Sequence, residues 1–123
     1  MLKNFELVHA GGQTSSRCTV NTAQVLWVMA ARKDQIGKTT IGVCGNGTIA
    51  IKESIDDVIR ALGVDLIKLL THDRAGRPGF AHDIYVTPVT ISVTTRALAD
   101  EYDTIKFVDG TELDVMDAHG LIG

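Results

Sequence analysis

A chain of 123 residues with 45% hydrophobic and 22% charged residues, only two prolines and a formal charge of −3 has the composition of one compact globular domain. That composition excludes a disordered or collagen-like chain, and the acidic balance excludes a protein whose main task is non-specific neutralisation of DNA, which needs a Lys/Arg excess. Cys18 and Cys44 form no C-x-x-C pair, and no run nears the roughly 20 apolar residues of a membrane span, so the expectation is a single domain over 1–123 in a reducing cytoplasm, bacterial or of an infected cell.

In chain order, Phe5 and Leu7 alternate with Glu6 and Val8 and predict a first strand ending near Gly11-Gly12, with Cys18 to Val20 pairing back against it. Residues 22–31 are ambiguous between helix and strand; the favoured reading is a brief turn at Asn21 to Gln24 and then a strand through Trp27. Thr39 to Ile51 reads as two strands around the glycines of "TIGVCGNGTIAI". Ser54 followed three residues later by Asp57 predicts a capped helix start, with Asp57 reaching back to complete a capping box. Asp56 and Asp57 also complement the helix dipole. Ile55, Val58, Ile59 and Leu62 lie on one helical face, and the apolar positions through Leu70 extend the expected helix to about 54–70 if Gly63 is crossed.

The polar loop "THDRAGRPGF" follows and carries Arg74 and Arg77. Beyond it, "IYVTPVTISVTT" has the β-branched richness of strands, with Pro88 forcing an edge or a bulge, and "TIKFVDGTELDV" is a hairpin turning at Asp109-Gly110. "TVNTAQV" at 19–25 can be set against "SVTTRAL" at 92–98, and "TIGVCGNGTIAI" against "TIKFVDGTELDV". Internal duplication of 1–70 and 80–123, and convergent hairpin grammar, both account for this. The fold class expected is α+β: an antiparallel sheet built from hairpins with one main amphipathic helix, its edges buried by oligomerisation.

Catalytic motifs are thin. A phosphate-binding glycine loop opens a helix, whereas Gly47-Thr48 opens the alternating "IAIK", and Gly37-Lys38-Thr39 lacks the glycine five residues earlier that a Walker loop needs. His72-Asp73 and His82-Asp83 could serve a metal-dependent phosphodiesterase, but His82-Asp83 runs straight into a strand. The carboxylates between Asp100 and Asp117 miss calcium-loop spacing and read as a solvated face. What remains is a set of cations, Arg17, Arg32, Lys33, Lys38, Arg74 and Arg77, interleaved with Trp27, Phe80 and Tyr85. Guanidinium groups bind phosphate bidentately and aromatic faces stack on bases, so this mixture suits a nucleotide.

The run from Val20-Asn21 through "TTIGVCGNGTIAIKESIDDVIRAL" resembles small bacterial FlbD-like proteins, in which an Asn-containing strand precedes a hairpin and a Lys-Glu-Ser helix start. Lys52, Glu53, Ser54, Asp56, Asp57 and Val58 carry the match over about a third of the chain, and it implies architecture rather than activity. In length and layout the chain is also similar to phage proteins that inhibit the Thoeris defence system, which sequester cyclic nucleotide signals between subunits. That likeness carries over no residue. The expected function is a non-enzymatic, phage-type binding protein that captures a small phosphorylated ligand, such as a cyclic nucleotide immune signal, at a subunit interface. Arg74, Arg77, His72, Phe80, Trp27 and Arg17 would bind it, without metal or cofactor. The competing expectation is a regulatory module that inhibits a host protein such as a polymerase or nuclease. Neither membrane nor DNA is an expected partner.

Overall fold

The computed structural model describes residues 1–8, 15–31, 37–45, 47–73, 81–96, 101–118 and 121. Among these residues ten strands and one α-helix follow in the order β1 (Leu2–Val8), β2 (Ser15–Asn21), β3 (Val25–Ala30), β4 (Thr39–Val43), β5 (Gly47–Ile51), α1 (Ile55–Leu62), β6 (Ile67–Leu70), β7 (Asp83–Val86), β8 (Ile91–Thr95), β9 (Asp103–Phe107) and β10 (Glu112–Val115). Short 3-10 turns at Thr22–Gln24 and Pro88–Thr90 precede β3 and β8. All strand pairs are antiparallel, in a seven-stranded sheet ordered β2-β1-β5-β4-β3-β7-β6 and a three-stranded sheet ordered β10-β9-β8. None of the described helices is long and apolar enough to cross a membrane.

The helix is shorter than the apolar pattern suggests. Ser54 Oγ accepts the Asp57 N–H at 3.3 Å, which satisfies one orphan amide, but the Asp57 carboxylate turns to Arg60 at 3.5 Å instead of reaching back. Gly63 ends the helix in the left-handed region (φ 61), where a glycine carries no Cβ penalty. Residues 67–70, expected in the helix, form β6, with Leu69 buried while Lys68 and Leu70 are exposed. Their period is two, as in a strand packed on one face. Pro88 sits at the start of a 3-10 turn, where its missing N–H is not needed.

The same five-strand pattern occurs twice. In the first unit Phe5 faces Cys18 and Lys3 faces Val20; in the second Leu69 faces Ile84 and Ile67 faces Val86. The β4–β5 pairs Gly42–Thr48 and Ile41–Ile49 match the β9–β10 pairs Lys106–Glu112 and Ile105–Leu113. Even the irregularities coincide. A register shift falls between Val25 and Trp27 in β3 and between Ile91 and Val93 in β8. Cys44 donates to the Gln24 carbonyl as Val108 does to Thr90, each at 2.8 Å, and Leu7–Ile51 has its counterpart in the Thr71–Val115 bridge. "TIGVCGNGTIAI" and "TIKFVDGTELDV" therefore occupy equivalent hairpins. The segment 19–25, however, corresponds to 85–91 rather than to 92–98, because residues from 91 onward take the place of β3.

Each unit has its own core. The first gathers Phe5, Val20, Val25, Val28, Ile41, Val43 and Ile51 under Val58 and Leu62 of α1. The second gathers Leu69, Ile84, Val86, Ile105, Phe107, Val115 and Ala118, and it also takes Leu26 from β3. The bulge explains this crossing. An extra residue in one strand breaks the alternation, so Val25 and Val28 both face the first core while Leu26, between them, is free to face the second. The units are joined along the β3–β7 seam, where Trp27 faces Val86, Val28 faces Tyr85 and Thr87 donates to the Leu26 carbonyl at 3.0 Å. A second tie joins the two equivalent turns: the Gly45 N–H donates to Asp109 Oδ2 at 3.1 Å.

Candidate functional site

The first unit carries an open depression of about 760 Å³ between the β1–β2 hairpin and the start of α1. Phe5 is its one apolar lining residue among those described, and the rest of the lining is polar. Strands β1 and β2 bring Glu6 and Arg17, which face each other across the ladder. The other side is supplied by the β4–β5 hairpin. Lys38 precedes β4 and donates its N–H to the Ile51 carbonyl at 2.9 Å, so it stands beside Lys52, which follows β5. Glu53, Ser54 and Asp57 close the rim at the helix start.

Each carboxylate on this rim already has a partner. Glu6 pairs with Lys52 at 3.5 Å, Glu53 accepts the Glu6 N–H at 3.1 and 3.2 Å, and Asp57 pairs with Arg60 at 3.5 Å. These are exposed contacts, worth about 0–1 kcal/mol each, and they place the negative charges rather than stabilise the fold. Among the described residues, Arg17 and Lys38 enter no ion pair. The depression thus presents two cations outside any ion pair, Arg17 and Lys38, with the Ser54 hydroxyl on its rim, and guanidinium and ammonium groups so placed can receive an anion.

The expected ligand set is dispersed. Arg17 lies at the depression. His72 is on the second unit, stacked on Tyr102 with ring centroids 4.4 Å apart and 13° between planes. Its Nδ1 lies 3.2 Å from Met116 Sδ, and its backbone N–H donates to the Asp114 carbonyl. Trp27 is half-buried in the seam, where its indole covers Gly42 so closely that a Cβ there would collide with it, and it packs against the second core. Arg74, Arg77 and Phe80, like Arg32 and Lys33, lie outside the described residues.

Lys52 stood out in the sequence only within a family-like signature, and Tyr102 and Met116 did not stand out at all. The hairpin register could have placed Lys38 beside Lys52, since residues flanking paired strand ends are neighbours. Nothing local marks Tyr102 as a partner of His72. Asp83 pairs with Lys68 at 3.6 Å, the His82 N–H donates to Thr71 Oγ1 at 2.9 Å, and among the described residues no three His, Cys, Asp or Glu side chains are grouped as a metal site requires. Burial, seconded by the charge of Glu53, pushes the Cys18 thiol above its ordinary pKa, so Cys18 is a poor source of thiolate. Comparison with family models, curated proteins and solved structures gives no match.

Proposed function

We propose that the chain is a non-enzymatic binding protein that holds a small phosphorylated ligand, a cyclic nucleotide being the leading candidate, with Arg17 and Lys38 receiving the phosphate. The observation that carries this reading is that Arg17 and Lys38 at the depression enter no ion pair among the described residues, while each rim carboxylate is held by another hydrogen-bond or ion-pair partner. Arg74 and Arg77, which follow Asp73 in the sequence, are further guanidinium groups suited to the same class of ligand. The test is calorimetric titration with 3′,5′-cyclic AMP, cyclic dinucleotides and inorganic phosphate. Heat denaturation and recovery of the ligand then separate storage from turnover. Binding is expected to fall at least tenfold in Arg17→Gln/Lys38→Gln, and the ligand should be recovered intact. Absence of binding to every probe overturns the reading, and chemically altered ligand would make the protein an enzyme.

One observation favours a second reading, a module that docks on another protein. Leu70 and Met116 are exposed beside the His72–Tyr102 stack, which gives the second unit an apolar and aromatic corner where the first unit has Glu6 and Lys52. Such a corner is a normal anchor for a protein contact. Loss of partner binding in Met116→Lys, with ligand titrations unchanged, would distinguish it.

A further inference from the structure

The β3–β7 seam is an edge-to-edge pairing between two units of the same design, and each unit keeps one edge of that kind unused. In the equivalence of the two units, β8 takes the place of β3 and β2 takes the place of β7. Within the seven-stranded sheet β2 is terminal, and in the three-stranded sheet β8 is terminal. Among the described residues, these two edges pair neither with each other nor with any other strand.

The register fixes which groups are free. Thr22 donates to the Met1 carbonyl, so Val20 and Cys18 point their backbone groups at β1 by alternation, and Thr19 and Asn21 point theirs outward. Ala31 donates to the Lys38 carbonyl, so Trp27 and Met29 face β4 and Val28 faces β7. Transferred to the second unit, Thr94 and Ser92 direct their backbone groups away from β9. Among the described residues no further strand pairs with this edge. Exposed strand edges are commonly blunted by lysine or proline, and Ile91 to Thr95 contains neither. Moreover, four of the seven large apolar side chains exposed on the described surface, Met1, Leu2, Val89 and Val93, lie on or beside the two free edges.

We propose that β8 of one chain pairs antiparallel with β2 of a second copy, repeating between chains the seam that joins the units within one. Val93 then faces Val20 as Trp27 faces Val86, and Thr94 faces Thr19 as Val28 faces Tyr85. The ladder is main-chain hydrogen bonding reinforced by a Thr–Thr pair and flanking valines. It carries less apolar contact than the internal seam, since Ser92 replaces Leu26, so the association is concentration-dependent. Each chain offers two different edges, which makes the contact heterologous and leads to rings or open chains rather than a closed two-fold dimer.

The test is mass by light scattering over a concentration series. The wild type is expected to grow with concentration beyond the mass of one chain. Asn21→Pro removes an outward N–H from β2 at a position whose φ of −77° proline tolerates, and Thr94→Pro does the same on β8. Each variant alone should stay at the mass of a single chain. Mixed in equal amounts they should form a particle of two chains, because each retains the edge the other lacks. Thr19→Lys and Thr94→Lys, both at exposed positions, repeat the experiment without touching the backbone. A wild type that stays single at its solubility limit, a mass unaffected by either edge variant, or a mixture that stays single overturns the proposal.

Discussion

The two units share a backbone register and differ in what closes them. The first is covered by its own helix, with Val58 and Leu62 completing the core. The second has Ala118 where the first has Ser54, and it completes its core with Leu26 of the first unit. At the position equivalent to Leu26, Ser92 is exposed. Of two units with the same strand pattern, one is thus a donor and the other a recipient, and a single residue at a bulge sets the direction.

Breaking that dependence gives the largest expected effect. Leu26→Ala leaves a cavity in the second core and should cost about 2–5 kcal/mol by urea denaturation. Hydrogen exchange should show β9 and β10 losing protection before β4 and β5. Equal loss in both units would mean that the donor and recipient roles are not distinct.

Next comes the contrast across the bulged strands. Trp27 lies over Gly42, whereas Val93 faces Lys106 at the same place in the second unit. Gly42→Ala forces the indole aside and should cost about 1–3 kcal/mol. Lys106→Ala, on an exposed position, should change stability by less than about 0.5 kcal/mol. Thermal melts of the two variants side by side decide it.

The smallest effect belongs to the tie between the turns. Asp109 accepts from the Thr111 hydroxyl and N–H and from Gly45, and these bonds hold its carboxyl below the ordinary carboxylate pKa. A group lowered in this way binds its proton less readily folded than unfolded. Its contribution is therefore present above the ordinary carboxylate pKa and is lost as pH falls through the lowered value. Asp109→Ala should cost about 1 kcal/mol at neutral pH and flatten the acid side of the stability profile. An unchanged acid profile would show that the tie contributes nothing.

Most strands and the helix start were legible because they depend on local signals: alternation in β1 and β5, the Ser54 cap, and the Gly-Thr hairpin turns. The helix end was not. Leu62 through Leu70 is apolar enough to read as a continuing helix, and only the left-handed Gly63 and the pairing of β6 with β7 decide against it. The depression was half legible. Arg17 and Lys38 were visible as cations, but their convergence with Lys52 requires β1 to lie between β2 and β5, which no local pattern specifies. The double allegiance of β3 was invisible for a related reason: strict alternation would put Val25 and Val28 on opposite faces, and only the bulge puts them on one.

The position of Leu26 also imposes an order on folding. Every fully buried side chain of the first core lies within the first 62 residues, with only Val64 and Tyr85 among the described residues packing on it from later in the chain, so most of that unit can form while the rest of the chain is still being synthesised. The second cannot complete its interior until β3 has presented its edge and delivered Leu26. The bulge in β3 therefore acts as a timing element: the first unit becomes the surface on which the second is nucleated, and early misfolding of the first would leave the second without a template.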